Sequence, residues 1–446
     1  MTEQKGKKIG IISLGCPKNQ VDAELMLYRL REAGYEITPD EEKADAIIVN
    51  TCGFIEDAKK EAIDAILETA ALKAEGRLKA LIVTGCLAER YQDEMAKELP
   101  EIDVIVGIGA NREIVSLVEQ ALEGERAARF APKAELEMEG GRVLTTPPYT
   151  AYLRVADGCD NRCAYCAIPL IRGGFRSRKM EDIVKEAEEL AANGVKELVV
   201  IAQDTSRYGL DLYGELRLPA LLSQLCAVEG VRWIRILYAY PDTITDELLD
   251  VMAKEEKILP YLDIPLQHCE GRVLKAMNRR GDRESLSALL NRIRSKVPGI
   301  ALRTTLIAGF PGETEEEFSE LADFVRTEKF ARMGSFAYSP EEDTPAAEMD
   351  GQVPNEVKAR RQEILMTEQA AVTQEWNQAR IGSELTVLVE GYDRLVKRWY
   401  GRTIYDAPEI DAKVFFEGEG TLRPGDFATV QIEDFIDCDL LGKQIL

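Results

Sequence analysis

The stretch Gly158-Cys159-Asp160-Asn161-Arg162-Cys163-Ala164-Tyr165-Cys166 decides how this chain is read. It sets three cysteines in a Cys-x-x-x-Cys-x-x-Cys pattern. Thiolates are the usual ligands of iron–sulfur clusters, and spacing this tight lets one loop wrap one cluster. Three thiolates hold three irons of a four-iron cluster and leave the fourth iron open to an outside ligand. A zinc site would need a fourth protein ligand, which His268 or Cys269 would have to supply. His268 is the single histidine, so histidine-rich metal sites and Ser-His-Asp chemistry are nearly excluded.

Outward from this loop, an apolar run at 152–156 precedes it, and strand-like runs follow at 198–202, 233–238, 261–266, 302–308 and 333–338. Helical periodicity fills the intervals, as at 180–192 and 314–327. Six strands with crossover helices predict a partial (β/α)6 barrel, whose chemistry gathers at the carboxyl ends of the strands. The cysteine loop directly follows the first of them.

Residues 8–14, 46–50, 80–84 and 104–107 read as strands, with helices near 19–33, 57–74, 88–99 and up to 123 between them. Alternation of this length predicts a parallel α/β sheet. Cys16, Cys52 and Cys86 each follow a strand, one βα unit apart, where a loop leads into a helix. Parallel strands bring their carboxyl ends to one edge, so these cysteines are expected to share a second cluster. Three inert core cysteines are the plain alternative.

Residues 124–148 look like a linker, and 355–380 like a helical connector. The tail alternates apolar residues at Leu385, Val387 and Val389 and again over 427–432, which predicts a small OB-like β-domain. The expected division is 1–140, 145–375 and 380–446. The 446 residues carry a formal charge of −23, which disfavours a general nucleic-acid binder and suits a basic partner. The polar start, the lack of a long apolar run and nine cysteines without a secretory signal predict a cytoplasmic protein with no membrane span.

The cysteine loop after a barrel strand resembles the radical S-adenosylmethionine (SAM) superfamily. That resemblance implies that SAM binds the open iron and is cleaved to a 5′-deoxyadenosyl radical, with Tyr165 near its adenine; packing alone would also explain Tyr165. Over the whole chain, the three-part layout resembles the methylthiotransferases, whose C-terminal part is a TRAM domain. The likeness implies two four-iron clusters, one on Cys16, Cys52 and Cys86 and one on Cys159, Cys163 and Cys166.

The run Leu14-Gly15-Cys16-Pro17-Lys18-Asn19-Gln20-Val21-Asp22 is similar to the branch that modifies ribosomal protein S12, not to the tRNA branch with Gln-Met-Asn after its cysteine. Asn50-Thr51-Cys52-Gly53-Phe54-Ile55 and Tyr338-Ser339-Pro340-Glu341-Glu342-Asp343-Thr344-Pro345 resemble the same branch, while Ala23 departs from its usual serine. This branch methylthiolates the β-carbon of an aspartate, on S12 free or in the small ribosomal subunit, and draws electrons from a donor such as flavodoxin or ferredoxin. The tail supports the choice. Residues 380–446 hold eight Lys/Arg against thirteen Asp/Glu, a poor surface for tRNA.

Other features carry less. Gly309, in Gly309-Phe310-Pro311-Gly312-Glu313, would line the SAM pocket or simply open a helix. Gln203, in Gln203-Asp204-Thr205, would contact SAM or substrate, and Arg303 would pair with the SAM carboxylate unless it is a surface residue. His268 sits at a strand end without an assigned role. Cys226, Cys269 and Cys438 fit no ligand pattern and are expected to be core or surface thiols.

Overall fold

The computed structural model describes residues 6–418 and 420–445. The chain divides into two compact units. The first comprises residues up to 146, 156–178 and 339–347; the second holds 147–155, 179–338 and the rest from 348.

In the first unit, strands β1 (Lys8–Ser13), β2 (Glu36–Ile37), β3 (Ala46–Thr51), β4 (Ala80–Gly85), β5 (Val104–Val106) and β6 (Ala127–Arg129) form one sheet. Its order is β2-β1-β3-β4-β5-β6 and every pairing is parallel. Strand β3 is buried along its whole length. Its side chains alternate between two apolar layers, Ile48 with Ile9, Ile82 and Leu30 on one face and Ile47 and Val49 with Ala62, Ile66 and Leu81 on the other. Helices Pro17–Glu32 and Ile114–Leu122 cover the first face, and helix Glu56–Ala74 the second.

Two short edge strands escape sequence reading. β2 has two residues and β6 three, too few for a periodic signal. The supposed linker at 124–148 therefore contributes the sixth strand. Beyond β6 it is strapped down by ion pairs of Arg142 with the fully buried Glu24 and of Arg29 with Glu137. The single helix expected over 88–99 is two, Cys86–Arg90 and Gln92–Glu98. The break falls at Tyr91, where Arg90 and Tyr91 bond Glu341 and Glu342 of the 339–347 segment. The same unit holds the short antiparallel pair of β8 (Ala156–Asp157) and β9 (Arg176–Ser177), which closes the base of the cysteine loop.

In the second unit, β7 (Thr150–Arg154), β10 (Glu197–Ile201), β11 (Trp233–Ile236), β12 (Ile258–Asp263), β13 (Ala301–Ala308) and β14 (Arg332–Ala337) lie side by side in chain order, all parallel. This is the expected open six-stranded half-barrel. Strand β12 starts earlier than its apolar run, at Ile258, and it accommodates Pro260 opposite a register irregularity between Ile234 and Ile236, where a missing N–H is tolerated. The helix Asn355–Gln378 does more than connect. Gln362 and Gln369 donate to the carbonyls of Ser335 and Phe330, seating the helix on β14.

The tail closes a five-stranded barrel in the order β15-β16-β17-β19-β18, from β15 (Glu384–Asp393), β16 (Arg398–Thr403), β17 (Val414–Glu417), β18 (Phe427–Ile436) and β19 (Asp439–Ile445). Val387, Val389, Val414, Phe416, Val430 and Ile432 fill it. Glu197, at the start of β10, joins this barrel to the half-barrel. Its buried carboxylate accepts from Arg402 (2.5 Å), Arg235 (3.1 Å) and the Thr150 hydroxyl (3.1 Å). Burial disfavours its charge, but the two guanidiniums outweigh that and hold its pKa down at about 2.

A buried carboxylate so paired stabilises the fold above its unfolded pKa and ceases to do so as pH falls through the folded value. Glu197→Gln should therefore cost about 3–5 kcal/mol at neutral pH, by leaving two buried guanidiniums under-paired. The difference from wild type should shrink between the ordinary glutamate value of 4.5 and about 2. Urea unfolding followed by tryptophan fluorescence measures this, because Trp233, Trp376 and Trp399 all lie in the second unit.

Candidate metal centres

The first sheet delivers Cys16, Cys52 and Cys86 to its carboxyl edge. Cys16 caps the amino end of helix Pro17–Glu32, Cys52 opens the turn after β3, and Cys86 is the first residue of its helix. Two glycines let the segments meet. Gly15 has φ +88°, and a Cβ there would stand 2.9 Å from the Cys52 sulfur. Gly85 has φ +97°, and a Cβ there would stand 2.4 Å from the Thr51 carbonyl oxygen. L-residues rarely adopt such φ values, so both positions demand glycine twice over.

Asparagine and threonine side chains lace the three strand ends together. The Asn19 amide donates to the carbonyls of Leu14 (2.7 Å) and Thr51 (3.1 Å). Asn50 returns a bond to the Asn19 carbonyl (2.7 Å), and the Thr51 hydroxyl donates to the Thr84 carbonyl (2.6 Å). Glu341, 2% exposed, closes the side near Gly53. It pairs with Arg90 (2.8 Å) and Lys59 (3.3 Å), and Arg90 also donates to the Gly53 carbonyl (3.1 Å).

The loop 158–175 belongs to this same unit. Asp160 accepts from the Phe175 N–H (3.1 Å), the Cys159 N–H donates to the Gly173 carbonyl (3.1 Å), and the Cys166 N–H donates to the Cys163 carbonyl (3.0 Å). Cys163 is buried, Cys159 and Cys166 are half-buried, and Tyr165 between them is half-buried. After the loop comes a residue that sequence reading passed over. Arg172 is fully buried, pairs with Asp22 (2.8 Å) and Asp157 (3.1 Å), and donates to Asn19 (3.2 Å) and the Cys86 sulfur (3.7 Å). Burial works against its charge, and Asp22 and Asp157 more than restore it.

The rim thiols feel one another. Burial pushes Cys86 up to about 12, against the pull of Arg172, and the charges of Cys16 and Cys52 raise it further. Burial and then Cys16 raise Cys52. Metal bound here must displace protons, so loading depends on pH. Among the described residues, no group of three or more His, Cys, Asp or Glu side chains is arranged to hold a single metal ion. The donor set on the edge is three soft sulfurs facing a buried cation, which suits an anionic iron–sulfur cluster.

The remaining candidates lie in the second unit. Gln203 follows β10 and Gly309 follows β13, both at the carboxyl edge of the half-barrel. The Gln203 Oε1 is buried with no hydrogen-bond partner among the described residues, an acceptor awaiting a donor. The Gly309–Glu313 turn is built around the buried Glu313, which accepts from the N–H groups of Gly309 (2.9 Å) and Phe310 (3.3 Å) and from Arg361 (2.8 Å). His268 lies 3.6 Å from the same carboxylate, and its Nδ1 accepts from the Glu270 N–H, so it braces this turn. Arg303 stands apart from the edge. It occupies the third position of β13 and is committed to Asp263 (3.2 Å) and to Asp411 (3.5 Å) of the tail. Cys269 is buried, Cys226 half-buried and Cys438 exposed, as expected of thiols outside a ligand set.

Sequence models of three families match the chain. The uncharacterized protein family UPF0004 covers residues 8–107, the Radical SAM superfamily 153–325 and the TRAM domain 381–445. Among curated proteins, the chain is 54% identical over 443 residues to the ribosomal protein uS12 methylthiotransferase RimO of Pelotomaculum thermopropionicum, covering 99% of this chain and 100% of that one. It is 50% identical to the protein of the same name from Caldanaerobacter subterraneus, over 98% of this chain and 100% of that one. Among solved structures it is similar in fold to the radical SAM methyltransferase TsrM from Kitasatospora setae, with TM-score 0.58, 15% identity and 77% of each chain covered.

The Gly15 contact makes a direct prediction. Gly15→Ala should push the Cys52 side chain away and lower the iron retained after anaerobic reconstitution. Iron analysis checks this, with circular dichroism expected to be unchanged.

Proposed function

This chain belongs to the family of the ribosomal protein uS12 methylthiotransferases, and we propose that it adds a methylthio group to the β-carbon of an aspartate of that ribosomal protein. The observation that carries the reading is likeness along the full length, cysteine loop, cysteine edge and tail included, at 54% identity. Two SAM molecules would serve each turnover, one as methyl donor and one as radical source. The working division of labour follows the modules 1–140, 145–375 and 380–446.

Cys159, Cys163 and Cys166 would hold one four-iron cluster and Cys16, Cys52 and Cys86 a second. When bound, the first cluster with SAM supplies a radical able to take hydrogen from an unactivated carbon, which acid–base groups cannot do. The chain's own work is binding, positioning and exclusion of water. Asp160 and Gly173 hold the cysteine loop shut at its base. Glu313 fixes the Gly309 turn and Gln203 presents its open acceptor, which makes Gly309 and Gln203 the second unit's candidates for contacting SAM; Tyr165, beside Cys166, is the first unit's candidate. Arg303 would have to leave Asp263 and Asp411 to reach the SAM carboxylate, so we assign it instead to the joint with the tail. A flavodoxin or ferredoxin would supply electrons, in the cytoplasm. No helix among the described residues is long and apolar enough to cross a membrane. The acidic tail argues against tRNA as a direct substrate.

The test is anaerobic incubation of the reconstituted protein with SAM, a reductant and uS12, either free or within small ribosomal subunits, alongside tRNA. Mass spectrometry should find a methylthiolated aspartate in uS12 and 5′-deoxyadenosine in solution. Methylthiolated adenosine in the tRNA with unmodified uS12 would overturn the assignment. Reconstitution should load roughly eight irons per chain, and Cys163→Ala should retain about half. An iron content untouched by Cys163→Ala would contradict the ligand set.

A further inference from the structure

We infer that Arg172 is a positioning residue that sets the charge, and with it the reduction potential, of the cluster held by Cys16, Cys52 and Cys86. This rests on the cluster assignment proposed above and goes beyond it.

The guanidinium divides its donors. Nη1 serves the carboxylates, Asp22 at 2.8 Å and Asp157 at 3.1 Å. Nη2 serves the cysteine edge, donating to Asn19 Oδ1 at 3.2 Å and to Cys86 Sγ at 3.7 Å. A residue that only tied two segments together would need the first pair alone. The bond to sulfur is the added element, and N–H bonds to cluster sulfurs are among the factors that set iron–sulfur potentials.

The side chain is also placed to connect both cysteine sets. It ends the short helix Ile168–Arg172, which begins one residue after Ala167, the neighbour of Cys166. Ala167 and Ile171 from this segment pack on Cys86 in a fully apolar cluster. Ile168 and Pro169 are half-buried and Leu170 is exposed, so the buried link from this segment to the Cys86 sulfur runs through Ala167, Ile171 and the guanidinium. Arg172, Asp22 and Asp157 are each 2% exposed or less, so their charges act on the edge through a medium far less screening than water.

The sign follows. Reduction adds negative charge to the cluster, and a fixed cation at Cys86 stabilises that form, so Arg172 raises the potential. Asp22, on the same guanidinium, opposes it. Lysine would keep the charge but cannot reach the carboxylates and the sulfur at once, because it lacks the fork.

The test uses the full-length chain carrying Cys163→Ala, so that the iron retained reports the edge cluster alone. Its potential is measured by an EPR-monitored redox titration after anaerobic reconstitution. In this background Arg172→Gln should lower the reduction equilibrium at least tenfold, a shift of about 59 mV for a one-electron couple. Asp22→Asn should shift it the opposite way, and Arg172→Lys should move it less than the glutamine variant. A purely structural role would change iron content or stability without shifts of opposite sign. If Arg172→Gln fails to fold, the other two variants carry the test. An iron-loaded chain whose potential ignores these substitutions would overturn the inference alone. A Cys163→Ala chain holding no iron would overturn the cluster assignment, and this inference with it.

Discussion

Parallel strands end on one edge, and the chemistry of the first unit depends on that constraint. Cys16, Cys52 and Cys86 are far apart in sequence, yet each is the first or second side chain past a strand whose neighbours run the same way. No disulfide or long-range loop is needed to bring them together. The cost of the arrangement falls on the backbone, which must turn sharply three times in a small space. Gly15 and Gly85 meet it by adopting conformations and approaches that no side chain would allow. The Asn19, Asn50 and Thr51 bonds then satisfy polar groups that the turns leave exposed inside the protein.

Much of this was legible in the sequence because it repeats. A cysteine after each of three βα units is a pattern that spacing alone discloses, and the order of the half-barrel strands follows from their crossovers. What escaped reading has no local pattern. Arg172 precedes two glycines and looks like a loop residue; its partners Asp22 and Asp157 reach it only through the fold. The stretch after Gly124 is polar and has the composition of a linker, but its charges are met by residues more than a hundred positions away, Arg142 by Glu24 and Glu137 by Arg29. Arg303 shows the limit from the other side. The expectation that it grips a carboxylate was chemically apt, yet the carboxylates are Asp263 and Asp411 of the protein itself.

Buried charge is used in the two units for different ends. Around Glu197, two guanidiniums converge on one carboxylate, and the group is fully paired. Such a joint fixes how the tail barrel seats on the half-barrel and offers nothing to a ligand. Around Arg172 the ratio is inverted, with two carboxylates and a thiol on one guanidinium. The two carboxylates offset part of the Arg172 charge, and what reaches the cysteine edge is the Nη2 donor, which they do not occupy. Glu197 keeps its bonds within the joint, whereas Arg172 extends one of its own to a thiol.

The segment 339–347 has a consequence for the order in which the protein comes into being. It belongs to the first unit although residues 179–338 of the second separate it from the rest of that unit. On the ribosome, the first sheet emerges and can close long before Glu341 has been translated. Until then Arg90 and Lys59 lack the carboxylate that meets them in the finished protein, and the flank beside Gly53 lies open. The flank beside Gly53 is thus the last part of the first unit to find its partner, closed by a carboxylate made long after the strands it rests on.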